Sequence, residues 1–172
     1  MNKPIYINGS VLEPVGNEDD IKIITHVCNN RGGWGKGFVL ELNKLSPLPK
    51  KEYKKWFQYK KYKGIDFDMG NVQFVWINKN TVVANTIAQN GFFSQYNKIP
   101  FSYTAFTCAL NKIVAYINKQ QEHYKRFTFS VHVPYLIGCG YGKGSWNLVE
   151  RVLQENVCKK GVKLYVYNYK KR

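Results

Sequence analysis

The 172-residue sequence is short of acid: 11 Asp and Glu stand against 26 Lys and Arg, a formal charge of +15. It also lacks any apolar run near the roughly 20 residues that cross a bilayer. No cysteine pair is spaced C-x-x-C, and the only histidines are His26, His123 and His132. These shortages exclude a helical membrane span and a membrane partner, and leave no metal site of the usual zinc spacing. Cys28, Cys108, Cys139 and Cys158 lie far apart and read as reduced thiols. The opening MNKPIYINGS has neither the apolar core nor the cleavage site of a signal peptide, which implies a cytoplasmic protein. No G-x-x-x-x-G-K-[ST] occurs, and GGWGKG does not follow G-x-G-x-x-G with an acidic residue downstream. NTPase, kinase and dehydrogenase readings therefore fall away, and no cofactor is expected.

What is present suits one globular domain over residues 1–172: 44% hydrophobic, 22% charged, with no repeat and no low-complexity linker. Periodicity predicts strands over 5–8, 21–28, 72–77, 81–87, 128–133 and 163–168, with helices over 35–44, 50–62, 103–120 and 145–159. Asn78-Lys79-Asn80 reads as the turn of a hairpin. Strands separated by helices call for an α/β fold, a three-layer α/β/α sandwich around a mixed sheet of about six strands. The densest basic run, KKEYKKWFQYKKYK, places Tyr53, Trp56 and Phe57 on one helical face and lysines on the others. It reads either as a solvated face or as part of a surface for an anionic partner such as nucleic acid.

Two glycine-rich segments stand where ligands collect in such sheets, after the carboxyl ends of strands. HVCNNRGGWGKGF follows the strand at 21–28, and VPYLIGCGYGKGSW follows the strand at 128–133. A third segment, IAQNGFFSQ, follows the strand at 81–87. Glycine weakens strands and helices by about 0.5–1 kcal/mol relative to alanine, so the clusters need an offsetting reason. It is either a tight turn or a backbone that approaches a ligand, with amides aimed at a phosphate or diphosphate.

The ordered motifs YINGSVLEP, THVCNNRGGWGKGFVLEL, VVANTIAQNGF, VPYLIGCGYGKGSWNLVERVL and LYVYNY run through essentially the whole chain. Together they resemble the macrodomain family, and within it the branch that processes ADP-ribose 1''-phosphate. The resemblance implies ADP-ribose or a derivative as partner. It would set Gly33, Trp34, Gly35, Lys36 and Gly37 around the distal ribose, with Gln89 nearby. Gly138, Cys139, Gly140, Tyr141 and Gly142 would wrap the diphosphate, and Tyr167 or Tyr169 would lie by the adenine. Ser10, in the pair Gly9-Ser10, falls where many members carry an acid for the adenine amino group, and Val11 beside it is expected to bind ligand. The aspartate and lysine of the members that cleave glutamate-linked ADP-ribose are also missing, their positions falling at Gly142 and near Ala88.

His26 is then the expected catalytic base, since imidazole exchanges protons near neutral pH. Asn29 is expected beside it, orienting the distal ribose or capping the turn. His132, alternating within an apolar strand, reads as a core histidine, and Cys139 as a structural thiol. The expected activity is hydrolysis at the distal ribose, of a phosphate or an ADP-ribosyl linkage. The alternatives are a non-catalytic ADP-ribose reader and a basic protein acting on ADP-ribosylated DNA or RNA.

Overall fold

Ile21, Ile23, Ile24 and Cys28 all lie below 4% exposure, the pattern of a central strand covered on both faces. In the computed structural model, which describes residues 2–169, that strand is β2 (Asp20–Asn29). It lies between β6 (Thr81–Gln89) and β7 (Thr128–Pro134), parallel to both. The six-stranded sheet runs β1-β8-β7-β2-β6-β5, with β1 at Ile5–Ile7, β8 at Lys163–Tyr167 and β5 at Val72–Asn78. Within this sheet only the β5–β6 pair, joined by the expected turn at Asn78-Lys79-Asn80, is antiparallel. The sheet is therefore mixed, as its residue pattern predicts.

Side-chain alternation sorts the sheet's residues onto two cores. Ile23, Val82, Ala84, Val131 and Leu164 pack with Phe106, Leu110 and Ile113 of α3 (Tyr103–His123) and with Val149 and Leu153 of α4 (Trp146–Asn156). Ile24, Val83 and Ile87 face Leu42 of α1 (Phe38–Leu45) and Tyr53 and Trp56 of α2 (Leu48–Tyr59). Each such fully buried aliphatic chain is worth roughly 1.5–3 kcal/mol. The three layers are complete.

Two of the boundaries that differ from the sequence pattern have a local cause. The helix predicted over 50–62 stops at Tyr59, because Lys60 turns left-handed at φ 58°. Beyond it, β3 (Lys61–Tyr62) and β4 (Ile65–Asp66) form a small hairpin across Lys63 and Gly64, whose positive φ angles of 46° and 81° suit a two-residue turn. The helix predicted over 145–159 ends at Asn156 and continues as a single 3₁₀ turn at Cys158–Lys160.

Candidate ligand cleft

Three loops leave the carboxyl ends of adjacent strands: residues 30–37 after β2, 90–101 after β6 and 135–145 after β7. They enclose a cleft in two adjoining parts. The larger, about 550 Å³, is lined by Asn29, Gly33, Gly35, Lys36, Gln89, Phe92, Phe93 and Tyr141 over Val27, Cys28 and Val39. The smaller, about 350 Å³, is lined by the loop Pro134–Gly142 on one side and by Lys36, Gly37 and Phe38 on the other. Tyr141 reaches across between them, and a β-carbon on Gly37 would sit only 3.2 Å from its ring.

The 135–145 loop uses its carbonyls internally and leaves amides over. The Cys139 amide donates to Leu136 (2.8 Å) and the Gly144 amide to Gly138 (2.9 Å), while Gly142 accepts from the Phe101 amide (3.0 Å). The N–H groups of Gly138, Gly140, Tyr141 and Gly142 have no protein acceptor among the described residues. A run of unclaimed donors in a glycine-rich turn is suited to phosphate oxygens. Gly138 adopts φ +74° and packs so closely on Phe101 that a β-carbon would lie 2.6 Å from the ring. Gly140 has open space where a β-carbon would stand.

The first loop is organised by Asn29. Its Oδ1 accepts from the amides of Arg31 (2.9 Å) and Gly33 (3.0 Å), and its Nδ2 donates to the Gly33 carbonyl (2.9 Å). The turn-capping role thus accounts for most of its hydrogen bonds, with one Nδ2 hydrogen left at the cleft. Gln89 Nε2 donates to Gly91 (3.0 Å).

His26, the expected base, is a buried ring. It borders the smaller cavity but is 1% exposed, its ring packed edge-on against Trp34 at 5.4 Å. Its Nε2 lies 2.5 Å from Asn85 Oδ1. The Asn85 amide nitrogen donates to Pro49 and Gln73, so this oxygen must accept and Nε2 must carry the hydrogen. The Cys28 thiol lies 3.8 Å from Nε2 and 4.0 Å from Nδ1. Burial lowers the imidazole pKa to about 4. The ring packs between Trp34 and Phe38 and ties β2 to β6 through Asn85.

Other expected ligand residues are also placed elsewhere. Trp34 is 4% exposed, with its indole N–H on Asn43 Oδ1 (2.9 Å). Val11 is buried with Trp34 and Val39, while Ser10 Oγ accepts from the Leu12 amide (3.1 Å). Tyr167 is 3% exposed, its hydroxyl held by the Val15 amide (2.9 Å) and His132 Nδ1 (2.8 Å). Tyr169 is exposed and lines neither part of the cleft. Ser10, Val11, Tyr167 and Tyr169 thus stand apart from it. His132 is the core residue it was read as, with Nε2 on Ser130 (2.7 Å). The Cys139 thiol donates to Ile137, and burial raises its pKa, which removes thiolate character.

Phe92 and Phe93 line the cleft without having been singled out from sequence. The signal was available: two adjacent aromatic residues in a loop of glycine, asparagine and serine, where no strand or helix needs them. Phe92 lies over Gly33, whose added β-carbon would come within 2.9 Å of its ring.

A mixed sheet between two helical layers, with a glycine-lined cleft across its strand ends, defines the class. No family model matches the chain and no curated protein matches it. Solved structures do. A macrodomain protein from Streptomyces coelicolor is 31% identical over 98% of this chain and 100% of its own, with TM-score 0.77. A protein of unknown function from Bacteroides thetaiotaomicron is 35% identical over 96% of this chain and 98% of its own, with TM-score 0.83. The fold is shared with Thermosipho africanus DarTG, solved in complex with ADP-ribose. That match has 17% identity, covers 97% of this chain and 42% of that one, and has TM-score 0.68. The chain belongs to the macrodomain family.

Proposed function

We propose that the chain is a single macrodomain and binds ADP-ribose in this cleft. The observation that carries the reading is the set of unclaimed amides at Gly138, Gly140, Tyr141 and Gly142, which suits a diphosphate. The adjoining 550 Å³ part suits the distal ribose: Asn29 and Gln89 offer amide groups, Lys36 a cation and Phe92 an apolar wall. The ADP-ribose complex of the similarly folded DarTG supports the same ligand class. Calorimetry with ADP-ribose and with AMP tests the reading. We expect ADP-ribose to bind at least about tenfold more tightly, a difference of roughly 1.4 kcal/mol. Equal affinities would remove the diphosphate and distal ribose from the site.

Recognition without turnover is the form of this function that the cleft supports. No Asp or Glu lines either part, and the one nearby imidazole is buried and engaged. General-base hydrolysis needs a base within reach of the attacking water. Incubation with ADP-ribose 1''-phosphate is therefore expected to release no phosphate beyond a protein-free control. Release would reinstate hydrolysis at the distal ribose.

A further inference from the structure

The segments that build the mouth of the cleft, residues 26–40, 86–101 and 134–149, contain no Asp or Glu. Arg31, Lys36, Lys98 and Lys143 stand exposed on them, with no ion pair among the described residues. Exposed rings alternate with these cations. Lys36 lies 5.9 Å from the Tyr141 ring centroid and Lys143 lies 5.1 Å from that of Phe93. Tyr96 is 91% exposed at the tip of the adjoining turn. That turn is well held: Ser94 and Asn97 exchange two backbone hydrogen bonds of 3.1 Å, and Asn97 Nδ2 donates to the carbonyls of Asn90 and Phe92.

Between this turn and Arg31 lies a hollow of about 600 Å³ that shares Phe92 and Phe93 with the cleft. On its far side the strip continues through Gly32. The Gly32 carbonyl accepts from Lys54 Nζ (2.5 Å), and its α-carbon lies against Phe57, over whose ring Lys60 stands at 3.6 Å. Tyr96 contributes little to the core and stands beside the cations on a turn that is held in place. Cations alone would fit any polyanion, and an acidic peptide would satisfy them without the rings. A duplex hides the flat faces of its bases. Rings interleaved with cations match a ligand that carries both phosphates and exposed bases.

We propose that this strip binds single-stranded nucleic acid, with bases stacking on Tyr96 and Phe93 and phosphates against Arg31, Lys98 and Lys143. This goes beyond the ADP-ribose reading and, Phe93 apart, stands on residues outside the cleft's lining. Fluorescence anisotropy with labelled DNA and RNA single strands of about 12 nucleotides tests it at about 0.1 M salt. Tyr96→Ala is expected to weaken binding at least about fivefold, while Tyr96→Phe keeps the ring and the affinity. Arg31→Gln is expected to flatten the slope of log affinity against log salt by about 0.7. ADP-ribose affinity of Tyr96→Ala stays at the parent value, so failure of either reading is seen separately. No strand binding, an unchanged Tyr96→Ala, equal binding to base-free polyphosphate, or preference for anionic vesicles would each overturn the proposal.

Discussion

Gly138, Gly140 and Gly142 stand two residues apart in one loop, yet each meets a different demand. Gly138 needs a positive φ and has Phe101 where a side chain would go, and a β-carbon on Gly142 would lie 2.7 Å from the Gly138 carbonyl. Gly140 has neither constraint: it lines the smaller part of the cleft and has open space where a β-carbon would stand. Gly140→Val is therefore expected to melt like the parent while losing at least about tenfold in ADP-ribose affinity. A variant that bound as tightly as the parent would move the diphosphate out of this loop. Gly138→Ala is expected to act on the fold instead, lowering stability in urea by roughly 1–3 kcal/mol through strain and crowding. The glycine cluster itself was legible in the sequence. Which glycine serves the backbone and which the ligand was not, because both depend on Phe101, fixed 37 residues away at the edge of another loop.

At the scale of elements, strand register explains why His26, which the sequence reads as a base, sits in a buried polar row. β2 and β6 pair His26 with Asn85, and β5 and β6 pair Gln73 with Asn85, so three polar side chains from three strands meet in one row. Asn85 Nδ2 continues the row to the Pro49 carbonyl, and Gln73 Nε2 donates to the Glu52 carbonyl, both in α2 (3.0 Å each). The row fastens α2 to the sheet from beneath. Asn85→Leu would leave the His26 N–H, the Gln73 side chain and the Pro49 carbonyl without this partner. A loss of about 3 kcal/mol or more in urea unfolding is expected. A loss below about 1 kcal/mol would show that water or rearrangement replaces these bonds. Periodicity made the major strands and helices legible, since their apolar faces repeat along the chain. It carries no information on register, and a histidine near a strand's end reads the same whether it faces a cleft or an asparagine. The β3–β4 hairpin was hidden for a related reason: its two-residue strands are too short for any period, and the lysine-rich run continues through them.

For the whole molecule, the two buried imidazoles set the response to acid. Burial lowers His26 to about 4, and burial together with the Lys22 charge lowers His132 to about 3, against an ordinary value of 6.5. Above pH 6.5 both are neutral in the folded and unfolded chains, and their stabilising contribution is fully present. As pH falls toward 4, the unfolded chain takes up two protons that the native state excludes, so stability must fall with pH. Each histidine contributes up to about 1.4 kcal/mol per pH unit in that window. The loss from His26 ends below its folded pKa, while that from His132 extends lower. Protonation of the 11 acids adds to the +15 self-repulsion in the same direction. Urea titrations between pH 6.5 and 4 are expected to give a slope of nearly two protons near pH 5, and His132→Asn should reduce it by about one. A flat profile would mean that His26 and His132 accept protons in the native state, which would contradict the closed hydrogen-bond rows around them.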